Sequence, residues 1–254
     1  MKRFFVVLVC VLTAISFASC GKSENEKSKK EAVTTVDIIN EGDIKRESVY
    51  NDRGLLIRLN EYDKNNKLIS YQLYEYDKND NVTKINSYDS LEKLTGYNVM
   101  EYDKEGRNTK DARYFADGSL RSETEYEYDG KGQMIKSVDY DGKRNIIEKE
   151  EFEYDGKGNN TKDTTYDGKG KVLCCYAYEY DEKGVLTKTV TYSSDLKTVE
   201  EYVTYERDKL GNIIKENTYD GKDNLIKYTV RETDDEGNVT EKVYDPQGNI
   251  LTDE

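Results

Sequence analysis

The dipeptide Tyr-Asp recurs along this chain, with the tyrosine at 62, 76, 88, 102, 128, 140, 154, 166, 180, 219 and 244. Looser copies fill the gaps: Tyr50-Asn51, Tyr114-Phe115, Tyr192-Ser193, Arg207-Asp208 and Thr233-Asp234. From Tyr50 to Tyr192 the steps alternate between 12 and 14 residues without a break; one residue is then gained before Arg207 and one lost before Tyr244. The unit is therefore 26 residues in two unequal halves, and about eight units fill Tyr50 to Glu254. Such a unit is too small to bury its apolar surface alone, so each must pack on the next.

Each half reads as a strand and a turn. Asp-Gly-Lys-Gly after Tyr128, Tyr154 and Tyr166, and Asp-Glu-Lys-Gly after Tyr180, are turn chemistry. An aspartate accepts bonds from the backbone ahead of it, and glycine tolerates the left-handed region. Gly106, Gly132, Gly158, Gly184, Gly211 and Gly237 recur at one turn position. Between turns, runs such as Val185 to Tyr192 are rich in β-branched and aromatic residues, which suit a pleated surface. The expectation is an all-β protein: an extended, twisted antiparallel meander of about 16 strands, free to curl or spiral.

Spacing also predicts a register. Six residues after each repeat tyrosine or its substitute stand Leu56, Leu68, Val82, Leu94, Asn108, Leu120, Met134, Ile146, Asn160, Val172, Leu186, Thr198, Ile213, Leu225, Val239 and Ile250. Thirteen of the 16 are apolar, so Tyr76 should face Val82 across a five-residue loop. Carried outward without irregularity, this register sets Lys84 opposite Tyr74, Lys110 opposite Met100, Lys136 opposite Tyr126, Lys162 opposite Phe152, Lys188 opposite Tyr178 and Lys215 opposite Tyr205. A lysine over an aromatic ring gains about 0.5–1 kcal/mol and shields its methylenes. In the last hairpin the pair becomes Arg231 and Glu241. Glu75, Glu101, Glu127, Glu153, Glu179, Glu206 and Glu232 should form a column on the other face, mostly opposite threonines. With adjacent members about 10 Å apart, that column reads as a solvated face and not a calcium ladder. The turn aspartates likewise read as turn residues, and no metal or other cofactor is expected.

The first residues bear on compartment. Met1-Lys2-Arg3 is a basic n-region and Phe4 to Phe17 an apolar run of signal-peptide length, short for a membrane span. Phe17-Ala18-Ser19-Cys20 resembles a bacterial lipobox. The resemblance implies a leader over 1–19, acylation of Cys20 and several lipid chains at one site, enough for stable anchoring in the cell envelope. An ordinary leader cut near Ala18 is the alternative. Residues 20–44 then read as the lipidated cysteine with a flexible polar tether, and 45–254 as the array; Val33 to Arg46 fits either a degenerate first strand or a cap. Losing Lys2 and Arg3 takes the formal charge from −13 to −15, which argues against nucleic acid as a partner.

Tyr126-Glu-Tyr-Asp-Gly-Lys-Gly-Gln and Tyr178-Glu-Tyr-Asp-Glu-Lys-Gly-Val resemble the Tyr-x-Tyr-Asp-x-x-Gly core of the Rhs, or YD, repeat family. The resemblance covers about 200 residues and implies successive β-hairpins with roles in surface contact, carbohydrate binding or toxin encapsulation. The chain is too short to enclose a cargo. A looser resemblance links its hairpins to MORN-like and antitoxin-like repeat proteins, which would imply an immunity-like protein sequestering a partner.

Without histidine, the Ser-His and Cys-His nucleophilic pairs are excluded. A catalytic carboxylate pair should occur once and break the pattern, whereas these glutamates recur, so the expectation is a protein that is not an enzyme. Adjacent Cys174 and Cys175 would point to opposite faces and make a strained disulfide. Two functions remain. One is a binding module for a glycan or protein partner, with Tyr74, Tyr126 and Tyr178 as candidate contacts, because 23 tyrosines against 5 phenylalanines suit half-wet aromatic surfaces. The other is a structural or spacer protein whose tyrosines only pack the sheet. Pro246 and the acidic end Asp253-Glu254 discourage pairing at the last edge, so a monomer is expected.

Overall fold

The computed structural model describes residues 33–233 and 237–251. The leader, Cys20, the tether up to residue 32 and the acidic end lie outside the described residues. The protein is all-β, with seventeen strands and, among the described residues, no helix. It divides into two compact units: residues up to Val99 with Phe115–Gly118, and Met100–Tyr114 with Ser119 onward. Unit 1 holds β1 (Val33–Glu41), β2 (Ile44–Asn51), β3 (Leu56–Tyr62), β4 (Leu68–Tyr76), β5 (Val82–Asp89) and the first part of β6 (Leu94–Tyr102). Unit 2 begins within β6 and contains β7 (Asn108–Phe115), β8 (Leu120–Tyr128), β9 (Met134–Asp141), β10 (Ile146–Tyr154), β11 (Asn160–Asp167) and β12 (Val172–Tyr180). It continues through β13 (Leu186–Tyr192), β14 (Val199–Arg207), β15 (Ile213–Asp220), β16 (Leu225–Thr233) and β17 (Val239–Tyr244). Within each unit, strands consecutive in sequence pair antiparallel. Pairing starts at β1, inside the stretch assigned above to the tether; β1 turns tightly into β2 through Gly42 at φ +60°.

The turns are built by their aspartates. Asp155 Oδ1 accepts the N–H groups of Lys157 at 2.8 Å and Asn159 at 2.9 Å, while Gly158 N–H donates to the Asp155 carbonyl at 3.2 Å. Gly158 takes φ +95°, which a residue with a Cβ resists. The carboxylate is held below its ordinary range by the Asn159 side chain first and the backbone donors next. The same arrangement recurs at Asp77, Asp141, Asp208 and Asp245. At the β9–β10, β11–β12 and β15–β16 turns, which carry Gly142, Gly168 and Gly221, the backbone lies closer to its neighbours. A Cβ on Gly168 would stand 2.0 Å from the Ile146 carbonyl oxygen, and one on Gly221 1.9 Å from that of Val199.

The predicted register holds next to the described loops, except that Tyr192 faces Val199 and not Thr198 because its turn has gained a residue, and it fails beyond them. Tyr76 faces Val82 and Tyr128 faces Met134, as spacing requires. One residue later the ladder shifts, so Lys84 faces Glu75 and not Tyr74, and Lys136 faces Glu127 and not Tyr126. Lys162, Lys188 and Lys215 likewise face Glu153, Glu179 and Glu206. The cause is a β-bulge: Thr83, Ile135, Thr161, Thr187 and Ile214 are extra residues with no cross-strand partner of their own. A bulge bends its strand and increases the local twist. Lysines and glutamates thus share one face, paired at 2.7–3.4 Å in unit 2, and Tyr74, Tyr126 and Tyr178 occupy the other. The lysine still finds a ring, on the following strand: Lys84 lies 4.9 Å from the Tyr97 ring centre, Lys188 4.4 Å from Tyr202 and Lys215 4.8 Å from Tyr228. Arg231 and Glu241 are cross-strand neighbours 2.6 Å apart, as expected. Theirs is the one described ladder with no shift.

The lysine–glutamate face carries the core. In unit 1, buried Asn60 faces Tyr71, which stacks on Tyr88 at 4.8 Å. In unit 2 the buried residues Ala112, Val138, Thr164, Val190 and Asn217 face residues of the following strand that are larger in every pair but Thr164–Cys175: Glu123, Lys149, Cys175, Tyr202 and Tyr228. These in turn face Tyr140, Tyr166, Tyr192, Tyr219 and Tyr244. A column of small side chains is thus flanked by large ones that shield it, in place of a second layer. The repeat tyrosines also pin strands together. Tyr76, Tyr128 and Tyr154 donate their hydroxyls to the carbonyls of Leu56, Asn108 and Met134 at 2.6–2.8 Å, each 20 residues back. Arg207, standing in for tyrosine, donates to the Leu186 carbonyl instead.

Candidate functional site

A repetitive sheet offers a site where its pattern breaks, and unit 2 breaks it in two places. The first is the core column. Tyrosine gives way there to Glu123, Lys149 and Cys175, three successive copies 26 residues apart. Glu123 is buried, with Lys110 Nζ 2.7 Å from Oε2 and Arg144 Nη1 2.8 Å from Oε1. Arg144 also reaches Glu125 at 2.9 Å, and Tyr140 donates to that carboxylate at 3.2 Å. The bond to Glu123 raises Lys110 above the ordinary lysine range. Arg144 holds φ +61°, a left-handed turn conformation taken by glycine at Gly118 and Gly170 and by Asn66, Glu92 and Asp223 in other copies. Lys149 sits 4.0 Å from the centre of the Tyr166 ring and 2.8 Å from Glu151. Cys175 is fully buried and receives the Thr164 hydroxyl at 3.6 Å. Both thiols are free. This cluster fixes register: a slip by one unit would leave a buried charge unpaired, which is costly.

The second break is open to solvent. The residue gained before Arg207 lies in the turn Ser193–Thr198, which is one residue longer than its counterparts. Asp195 rebuilds it, accepting the N–H groups of Lys197 and Thr198 at 2.8 Å and the Ser193 hydroxyl at 2.6 Å. Beside this turn, Cys174 and Tyr176 of β12, Thr191 of β13, Ser194, Glu200 and Lys171 surround a recess of about 390 Å³. Tyr176 stands where other copies carry Gln72, Asn98, Thr124, Glu150, Val203 and Thr229. At 37% it is the one exposed tyrosine among the described residues. An uncovered phenol ring beside hydroxyls and a carboxylate can stack on and hydrogen-bond to a polyol.

The tyrosines singled out by sequence stand behind such surfaces. Tyr74, Tyr126 and Tyr178 are half-buried and come from separate strands, β4, β8 and β12. Tyr74 donates to Gln72 Oε1 at 2.9 Å. Tyr178 donates to Asp163 Oδ2 at 2.8 Å, and Asp163 faces Tyr176 across the ladder. Burial raises all three phenols above their ordinary range, with Asp163 adding to the shift at Tyr178 and Asp111 at Tyr126. Sequence reasoning missed Tyr176, although its being the sole aromatic at its repeat position was visible. Among the described residues no group of three acidic or cysteine side chains is arranged to hold a metal ion.

No family model matches the chain, and no curated protein matches it. Solved structures do. The crystal structure of TcdB2-TccC3-TEV aligns with 82% of this chain at a TM-score of 0.54 and 16% identity. The chain spans 10% of the length of that structure. TcdB2-TccC3 without its hypervariable C-terminal region aligns with 86% of the chain and 15% of its own length, at a TM-score of 0.39 and 15% identity. A porin-like protein from Bacteroides uniformis aligns with 82% of the chain and 92% of its own length, at 0.36 and 10% identity. What the chain shares with the TcdB2-TccC3-TEV structure is a fold of successive β-hairpins.

Proposed function

We propose that the protein is a non-enzymatic lipoprotein of the bacterial cell envelope, held to the membrane through acylated Cys20, whose hairpin array binds a glycan as a monomer. The Tyr176 recess carries this reading: the most exposed tyrosine among the described residues stands beside hydroxyl and carboxylate side chains at the point where the repeat is interrupted. The other tyrosines support a packing role, since they are half-buried or buried. Cys174 lies in the recess wall while Cys175 is fully buried, which supplies a local probe. A soluble oligosaccharide that occupies the recess should slow alkylation of Cys174 in the full chain, and Tyr176→Ala should abolish that protection. If no member of a panel of chitotriose, maltotriose and cellotriose binds or protects the thiol, the glycan reading fails and the spacer reading takes its place.

A further inference from the structure

Unit 1 contains a recess of about 250 Å³ whose walls include Ser70, Gln72, Ser87, Tyr88 and Thr95. Four repeat units, or 104 residues, separate Ser70 from Cys174, Gln72 from Tyr176, Ser87 from Thr191 and Tyr88 from Tyr192. Thr95 corresponds to Glu200 once the inserted turn residue is counted. The two recesses therefore occupy the same place in the hairpin, one in each unit. Both are bounded by the extra residue of a bulge: Thr95 faces no partner between the pairs Tyr88–Leu94 and Ser87–Gly96, and Glu200 none between Tyr192–Val199 and Thr191–Glu201. In other copies that place holds a bulkier side chain, Arg121, Ile147, Leu173 or Ile226. Thr95 is short, and Glu200 is polar and solvent-exposed.

The chemistry matches as well. Each recess offers hydroxyl groups, one carboxylate and neighbouring tyrosine: Glu61 with the stacked Tyr71 and Tyr88 in unit 1, and Glu200, at a different repeat position, with Tyr176 and Tyr192 in unit 2. The polar groups of the unit 1 recess are held in place by one another. Glu61 accepts Arg46 Nε and the Ser70 hydroxyl, each at 3.0 Å, and Gln72 bridges from the Tyr74 hydroxyl at 2.9 Å to Ser87 at 3.5 Å. Fixed donors and acceptors cost a ligand less to order. Tyr74, 104 residues before Tyr178, thus positions one wall as Tyr178 fixes Asp163 near the other.

We infer that the protein is bivalent: the Ser87–Thr95 recess of unit 1 takes the same hydroxyl-rich carbohydrate ligand as the Tyr176 recess of unit 2. The inference rests on the glycan reading proposed above and adds a second site to it. Two sites on one chain raise avidity for a polymeric ligand without any new contact at either.

Isothermal titration of the full chain with chitotriose, maltotriose and cellotriose tests it. The oligosaccharide that protects Cys174 should bind with a stoichiometry of two. Thr95→Ile and Glu200→Ile fill the recesses with a side chain that the same bulge already accommodates at Ile147 and Ile226, so the fold should persist, checked by an unchanged Tm. Each single variant should bind one equivalent with per-site affinity unchanged within about twofold, and the double variant none. A stoichiometry of one in the parent chain with Cys174 still protected would overturn bivalency while leaving the glycan reading intact. So would a Thr95→Ile variant that still binds two equivalents, or a single variant that loses all binding. Absence of binding by every oligosaccharide would overturn both.

Discussion

Gly156 and Gly168 sit in identical pentapeptides, Tyr-Asp-Gly-Lys-Gly, twelve residues apart, yet alanine should act on them in opposite senses. Neither holds a left-handed φ, so the backbone itself permits alanine at both. A Cβ on Gly156 meets nothing within 4 Å. Its gain comes from the unfolded chain, which loses freedom worth about 0.4–1 kcal/mol. A Cβ on Gly168 would lie 2.0 Å from the Ile146 oxygen and 2.9 Å from its carbon, where contacts under 3.0 Å essentially never occur. The clashing atoms are backbone, so no side chain can swing aside; the turn Asp167–Lys171 must lift from β10. Forcing extra volume into a packed site costs about 1–3 kcal/mol. For an array of this length about 1 kcal/mol moves Tm by roughly 2–4 °C. Gly168→Ala should melt roughly 5 °C below the parent chain and Gly156→Ala roughly 2 °C above it, followed by circular dichroism. A Gly168→Ala variant as stable as Gly156→Ala would refute the claim that the two ends of the hairpin differ in backbone approach. Ser90, Ala116 and Ser194 stand at the Gly168 place in other copies, so the approach belongs to the glycine-bearing copies and not to the turn type.

Other consequences can be checked with the same material. Tyr128→Phe removes the hydroxyl bond to the Asn108 carbonyl and should cost about 1 kcal/mol in urea unfolding with the m-value unchanged. Glu123→Ala leaves Lys110 and Arg144 without their shared carboxylate. It should cost about 3 kcal/mol, a low figure for a buried pair because Arg144 is half-exposed. The turn carboxylates of Asp77, Asp141, Asp155, Asp208 and Asp220 are held below their ordinary range by an asparagine side chain four residues on. Their stabilisation is complete above the unfolded value of about 4 and is lost as pH falls through the lower folded values. Tm should therefore be flat from pH 7 to about 5 and fall on further acidification; a Tm that rises below pH 4 would contradict this. Tyr62 is pushed up to about 12 by burial and by its bond to Glu47. It favours the folded state below about pH 10 and loses that effect as pH rises through its folded value. Phenolate absorbance should show Tyr62 titrating late, and Glu47→Gln should bring it down.

The strands and turns were legible because each half-repeat states its own punctuation. Tyrosine, aspartate and a left-handed glycine or asparagine fix where a strand ends, and the apolar residue six places on fixes the first pair across the loop. The bulge was not read, although a sign of it lay in the sequence. Leu68-Ile69, Met134-Ile135, Ile146-Ile147, Val172-Leu173, Ile213-Ile214 and Leu225-Ile226 are apolar doublets, and a doublet interrupts the alternation of a regular strand. The Arg231–Glu241 pair could not expose the error, because it belongs to the one described ladder without a bulge. Shifted by one residue, lysine was set on tyrosine and glutamate on threonine, which assigned the columns to the wrong faces. The Tyr176 recess depends on a bulge residue, an inserted turn residue and a unique aromatic coming together. Their meeting requires the true register, so it could not be seen from spacing alone.

Among the described residues within each unit, strands contact their neighbours in sequence. A gene duplication or deletion of one whole 26-residue unit away from the Glu123, Lys149 and Cys175 copies would therefore leave the surviving strands with partners of the same kind. Repeat number can drift by recombination without any single protein having to pass through a misfolded form. The four copies that separate Thr95 from Glu200 then become an adjustable length of chain between the two recesses. On the bivalent reading proposed above, a lineage could add or drop copies between its two sites and leave the residues of either recess untouched.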